Sequence, residues 1–128
     1  VHWRNFLSAV ALKYIKANYE NELCQFNDKT GISGIGELEL LKYETGGKYN
    51  FHNDSFTEAP RIISCIFLLN DDYEGGELEF ADPISKKVYK TINNKSGKLI
   101  IWPSNFMYPH RIKPVTKGRR FSVVGWAY

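Results

Sequence analysis

Residues 98–127 read KLIIWPSNFMYPHRIKPVTKGRRFSVVGWA, and their pattern decides the class of fold. Three short apolar runs, 98–102, 107–112 and 119–127, are cut by WPSN and PVTKG, whose Pro, Gly, Ser and Asn residues supply turn geometry. In the last run Arg120, Ser122, Val124 and Trp126 alternate with Phe121, Val123 and Gly125, the period of two expected of a strand with two different faces. Working back toward the N terminus, the same reading places strands over 37–43, 61–69, 77–80 and 87–92, separated by TGGK, NDDYEGG, ADP and NNKSG. Residues 3–17 alone carry a helical period, with Trp3, Leu7, Val10, Tyr14 and Ala17 at steps of four and three on one face, followed by a polar break over 27–34. One helix and then many short strands predict a mainly β protein, a two-sheet antiparallel jelly roll (double-stranded β-helix). Residues 1–35 are expected to form helical support and 36–128 the jelly-roll core of a single 1–128 domain.

Composition narrows the function classes. A chain of 128 residues builds one core and not two. The net charge of +3 is not gathered into a Lys/Arg stripe, so nucleic acid is not the expected partner. Two cysteines far apart, Cys24 and Cys65, make no disulfide framework and suit a reducing compartment. Cys65 lies within an apolar strand and reads as a small buried hydrophobe. No apolar run approaches the length of a membrane span, and the first residues hold Arg4 and Lys13 where a signal-peptide core would lie. A soluble, cytoplasmic location without membrane contact is the expectation.

The chemistry starts at residues 43–54, YETGGKYNFHND. In a strand, side chains two apart point to one side, so His52 and Asp54 can converge on a single ion. Alone, the pair reads more readily as a solvated loop. His110, far downstream beside a second strand, changes the balance: two imidazoles and one carboxylate with open positions opposite form the facial triad that suits Fe(II). Zinc competes for the same donors. Arg120 lies ten residues after His110, on the strand face shared with Val124 and Trp126. A guanidinium inside a barrel is costly unless an anion meets it, and its planar fork suits a carboxylate, with Ser122 alongside as a further donor. A binding module without chemistry and a zinc hydrolase stay open on these residues alone.

Three motifs in order carry a resemblance. YETGGKYNFHND fits Tyr-x2-Gly-x2-Tyr-x2-His-x-Asp; ISCIFLLNDDYEGGELEF fits a strand followed by a Gly-Gly-Glu-Leu loop; and HRIKPVTKGRRFSVVGW fits His-x-Val-x-Pro-Val-x2-Gly-x-Arg-x-Ser with a closing Trp, Ile112 standing at the first Val. From about Gly36 onward the chain resembles the catalytic domain of the Fe(II)- and 2-oxoglutarate-dependent dioxygenases, in their prolyl 4-hydroxylase-like branch. The resemblance implies that His52, Asp54 and His110 ligate Fe(II) and that Arg120 pairs with the far carboxylate of 2-oxoglutarate. Tyr43, Ser122 and Trp126 would complete the cosubstrate pocket, with no catalytic residue beyond the metal ligands. It also implies consumption of O2, oxidative decarboxylation of 2-oxoglutarate to succinate and CO2, and hydroxylation of a C–H bond, with ascorbate as an accessory reductant. Peptidyl proline is the first expected substrate; a free amino acid, a small metabolite or a nucleobase is the alternative, as is a non-catalytic metal-binding jelly roll. Gly75-Gly76 is expected to do no more than turn the chain, while 53–61 and 70–76 border the metal mouth. One position departs from the family: Leu68 stands where many prolyl hydroxylases carry a tyrosine on the far carboxylate, so Tyr43 or Ser122 is expected to take up that hydrogen bond.

Overall fold

A computed structural model describes residues 2–20 and 32–128. Helix α1 (His2–Ile15) runs into a wider π-helical turn, Lys16–Glu20. The strands follow as β1 (Glu39–Tyr43), β2 (Tyr49–His52), β3 (Ile63–Leu68), β4 (Glu74–Gly75), β5 (Leu78–Ala81), β6 (Val88–Thr91), β7 (Leu99–Pro103), β8 (His110–Ile112), β9 (Val115–Lys117) and β10 (Arg120–Ala127). A four-stranded sheet has the order β1-β10-β3-β7, a second the order β2-β8-β5-β6, and β4 pairs with β9. The pairings are antiparallel. Together they make the mainly β jelly roll with an N-terminal helix that the strand spacing predicts. Cys24 lies outside the described residues, as does most of the polar break expected over 27–34.

Strand β3 shows why the sequence folds this way. All six of its residues are buried because both faces are covered, so it reads as a continuous apolar run. Ile66 and Leu68 point between the sheets and pack with Leu78, Phe80, Trp102 and Ile112. Cys65 and Phe67 point the other way, against Ala11 of α1, Leu38 and Val123. Strand β10 repeats the alternation: Val123 and Ala127 face the helix side, whereas Arg120, Val124 and Trp126 line the interior between the sheets. At Gly125 a Cβ would run into the end of the Leu38 side chain, so a larger residue there would push Leu38 out of its place against β10.

Two expectations need correction. Of the expected stripe Trp3, Leu7, Val10, Tyr14 and Ala17, only Leu7 packs inward; the other four are exposed, and the buried face runs through Leu7, Ala11 and Ile15. Leu7, Ala11 and Ile15 share a strict four-residue step, and the small Ala11 lets the helix approach the sheet. Strands β2, β4 and β9 form within stretches expected as turn or loop. Each is four residues or fewer, and they are set by pairing across the barrel more than by their own alternation.

Candidate metal centre and cosubstrate cavity

His52 ends β2 and His110 begins β8, and the two are register partners across that antiparallel pair. Their rings lie 4.3 Å apart between centroids. Asp54 follows in a bend beyond the end of β2, so the strand alternation invoked for His52-x-Asp54 is not what aims it. Its backbone is instead tied across the barrel, with the Asp54 and Ser55 amides donating to the Ser104 carbonyl at 3.1 and 3.0 Å. The result is a cluster in which one donor atom from each of the three side chains lies within 4.8 Å of the others. Asp54 Oδ1 is 3.3 Å from His52 Nε2 and 3.4 Å from His110 Nε2.

The ring nitrogens on the far sides are held by main-chain carbonyls. His52 Nδ1 lies 2.7 Å from the Asn50 carbonyl and His110 Nδ1 lies 3.1 Å from the Tyr108 carbonyl. A carbonyl only accepts, so each Nδ1 carries a proton there, and Nε2 is the ring nitrogen each histidine turns toward Asp54. Both Nε2 atoms and an Asp54 oxygen thus converge on one point, and with Nδ1 held by a carbonyl each Nε2 is the nitrogen available to a metal ion. Burial alone would raise the Asp54 carboxyl, but hydrogen bonds with His110, His52 and Ser64 hold it well below the usual carboxylate range. Nitrogen and oxygen donors without thiolate, with one side left free, fit Fe(II).

A cavity of about 400 Å³ opens beside this cluster, lined by Tyr43, Trp102, Arg120 and Trp126 together with the three clustered residues. Arg120 is completely buried. Its Nε donates to the Gly76 carbonyl at 3.0 Å and its Nη1 to Ser122 Oγ at 2.9 Å. Its Nη2 has no partner among the described residues. No carboxylate among the described residues pairs with it, so a buried cation with one unused donor fits an acidic ligand such as 2-oxoglutarate. Tyr43 sits opposite Arg120 in the β1–β10 register, with the guanidinium carbon 5.4 Å from its ring. Burial pushes the Tyr43 phenol up, with Arg120 opposing, so it stays protonated and able to donate.

The remaining expected residues take different places. Trp126 lines the mouth of the cavity, and the Arg61 guanidinium lies over its ring at 3.6 Å. Ser122 is fully buried against Arg120, so its hydroxyl steadies the guanidinium. Leu68 lies between the sheets in register with Ser122 and packs in the cluster that Tyr43 joins. Sequence reasoning missed four contributors. Tyr73 is buried with its hydroxyl beside the Arg120 guanidinium, in a contact that falls short of good hydrogen-bond geometry; burial raises its phenol and Arg120 opposes the shift by charge and by that contact. Gly76 is more than a turn, since its carbonyl holds Arg120 and a Cβ there would press on Arg120 Cδ and the Tyr73 ring. Ser64 and Ser104 stand behind Asp54. The Tyr immediately before Glu-Gly-Gly was the readable sign of the first two; nothing local marks the serines.

The sheets, the converging donors and the buried arginine define a jelly-roll domain of the metal-dependent oxygenase class. Residues 38–128 match the 2OG-Fe(II) oxygenase superfamily, and the chain belongs to that family. Over 78 residues it is 38% identical to human prolyl 3-hydroxylase 2, which spans 58% of this chain and 11% of that protein. Over 99 residues it is 33% identical to a PKHD-type hydroxylase of Rippkaea orientalis, spanning 72% of this chain and 42% of the relative. The matched segment thus spans less than half the length of either relative. Among solved structures, a Pseudomonas putida prolyl-4-hydroxylase superposes with a TM-score of 0.74 at 22% identity, covering 94% of this chain and 62% of that one. A Trichoplax adhaerens prolyl hydroxylase, in complex with a peptide fragment of the hypoxia inducible factor oxygen degradation domain, superposes with a TM-score of 0.68 at 23% identity, covering 92% and 56%. Family membership implies Fe(II) and 2-oxoglutarate as the metal and cosubstrate. No helix among the described residues is long and apolar enough to cross a membrane.

Proposed function

We propose that this chain is the catalytic domain of an oxygenase that hydroxylates a C–H bond of a prolyl residue in a peptide or protein. His52, Asp54 and His110 would hold Fe(II), and Arg120 with Tyr43 would grip the far carboxylate of 2-oxoglutarate, with Ser122 bracing the guanidinium and Trp126 closing the mouth. The bound iron supplies activation of O2, coupled to decarboxylation of 2-oxoglutarate to succinate and CO2, with ascorbate as accessory reductant. The protein positions the partners and excludes competing reactions. A buried Arg120 with an unused Nη2, in the same cavity as three converging donors, is the observation that carries this reading. Formal charges agree: the iron dication, one aspartate, the cosubstrate dianion and one arginine cancel, so a dry cavity can hold all four.

A peptide substrate is supported by the prolyl hydroxylase names among the relatives and by the mouth itself. There Arg61 is stacked on Trp126 and its Nη1 donates to the Asp54 carbonyl at 3.3 Å, so a planar cation and an aromatic ring stand beside the metal cluster. Such a pair can bind a backbone carbonyl and pack on a pyrrolidine ring. Succinate release from 2-oxoglutarate, measured with Fe(II) under air against proline-rich peptides, tests the reading. The expected result is peptide-stimulated succinate with one oxygen atom gained by the peptide, lost in His52→Ala and Asp54→Ala. Absence of succinate with every peptide and without peptide would remove the enzyme reading; succinate without peptide oxidation would move the substrate elsewhere.

A further inference from the structure

The two oxygens of Asp54 are treated differently. Oδ1 faces both imidazoles, while Oδ2 accepts from Ser64 Oγ at 2.6 Å, and Ser64 Oγ lies 2.8 Å from Ser104 Oγ. Ser64 has one hydroxyl proton and donates it to Asp54 Oδ2, so Ser64 accepts from Ser104 and both hydroxyl directions are fixed. Ser104 binds the same bend through its main chain as well, accepting from the Asp54 and Ser55 amides and donating its own amide to the Ile62 carbonyl at 2.9 Å. Ser64 and Ser104 are each 1% exposed. Buried hydroxyls contribute little to an apolar core, and alanine would fill nearly the same space. What alanine cannot do is engage Asp54 Oδ2, which Ser64 does directly and Ser104 through the Ser64 hydroxyl.

We propose that Ser64 and Ser104 form a two-hydroxyl relay that holds Asp54 as a one-oxygen metal ligand. This rests on the metal reading of the His52, Asp54 and His110 cluster and adds positioning residues to it. With Oδ2 tied to Ser64, the carboxylate would be kept from offering both oxygens to a bound metal, which would leave room there for a chelating cosubstrate. Loss of the relay therefore weakens two affinities: that for the metal, through a loosened ligand, and that for 2-oxoglutarate, through a position taken by Oδ2.

The test is anaerobic calorimetric titration of the metal-free chain with Fe(II), then of the Fe(II)-loaded chain with 2-oxoglutarate, for Ser64→Ala, Ser64→Thr, Ser104→Ala and Asp54→Ala. Outer-shell partners of metal ligands are typically worth about 10- to 100-fold in metal affinity, and Ser64→Ala is expected to lose that much. Ser104→Ala should lose less, being one bond further out, and it carries the test should Ser64→Ala not fold. Ser64→Thr keeps the hydroxyl and should bind both Fe(II) and 2-oxoglutarate like the wild type. Wild-type affinities in both alanine variants, or Ser64→Thr as impaired as Ser64→Ala, would overturn the relay while a defective Asp54→Ala kept the metal site. Fe(II) affinity unchanged in Asp54→Ala would overturn the metal reading, and the relay with it.

Discussion

Tyr43 and Arg120 face each other as register partners across β1 and β10, with the guanidinium carbon 5.4 Å from the phenol ring. Two antiparallel neighbours thus put a neutral hydrogen-bond donor and a buried cation on one wall of the cavity that holds His52, Asp54 and His110. An acidic ligand is matched there by charge and by donors without any chain movement.

Arg120→Lys keeps the charge but loses the fork that reaches Gly76, Ser122 and the cavity at once. A hydrogen bond to a charged group is worth about 1.5–3 kcal/mol, so 2-oxoglutarate affinity should fall by roughly 10- to 100-fold. Fe(II) affinity should be unchanged, because the residue does not touch the metal cluster. Parallel calorimetric titrations of both ligands check the split.

Tyr73→Phe removes a buried hydroxyl that makes no well-formed hydrogen bond in the free chain. The thermal midpoint should change little, since only a poorly aligned contact with the Arg120 guanidinium is lost. Affinity for 2-oxoglutarate should fall by about fivefold to tenfold, the worth of one hydrogen bond of about 1–1.5 kcal/mol. This phenol would replace the donor that Leu68 cannot supply. Equal 2-oxoglutarate affinity in the variant would assign Tyr73 to packing alone.

Gly76→Ala and Gly46→Ala separate backbone strain from site damage. Both glycines have positive φ, at 68° and 89°, where an L-residue costs roughly 1–2 kcal/mol. A Cβ at Gly46 meets nothing, whereas one at Gly76 presses on Arg120 Cδ and the Tyr73 ring. Both variants should melt earlier than wild type, and only Gly76→Ala should also bind 2-oxoglutarate more weakly.

The helix face is tested by a second pair. Ala11→Leu forces methylenes into a filled layer against Leu38, Phe67 and Val123 and should cost about 1–3 kcal/mol of stability. Tyr14→Ala, on the exposed side, should stay within about 0.5 kcal/mol of wild type. Urea melts of both variants give the comparison.

Cys65 is unpaired and buried, and burial pushes its thiol up to about 12 against a weaker opposing backbone hydrogen bond with Gly125. The thiolate is the reactive form, so the native chain should leave Cys65 unmodified by an alkylating reagent at neutral pH and expose it only on unfolding. The sign for stability follows: the unfolded thiol ionises first, so this group's contribution holds below about pH 9 and declines as pH rises toward 12. Mass mapping of the Cys65 peptide before and after denaturation checks the first point.

The features of this molecule that depend on alternation or on residue type are legible in its sequence. Along β10 Arg120 shares a face with Val124 and Trp126, which favours an inward aim over an exposed hairpin charge, and the residue is buried. Histidine and aspartate are rare enough as a set for His52, Asp54 and His110 to stand out. What stayed hidden depends on contacts across the barrel. Strand β2 has three exposed residues and no apolar alternation, so only its pairing with β8 makes it a strand. The aim of Asp54 comes from Ser64 and Ser104, forty positions apart from each other, and no local period links them. On α1, two apolar stripes compete, and the sheet selects the one containing the small Ala11. At Gly76 the turn was readable but the carbonyl it offers to Arg120 was not.

The central claim is that one cavity binds a metal and an acidic cosubstrate to each other. Calorimetric titration of 2-oxoglutarate into the chain, with and without saturating Fe(II) under argon, tests it most directly, because coupling between two ligands must be reciprocal. The account predicts that Fe(II) tightens 2-oxoglutarate binding, that 2-oxoglutarate tightens Fe(II) binding by the same factor, and that Asp54→Ala abolishes the coupling. Equal 2-oxoglutarate affinity with and without Fe(II) in the wild-type chain would contradict it.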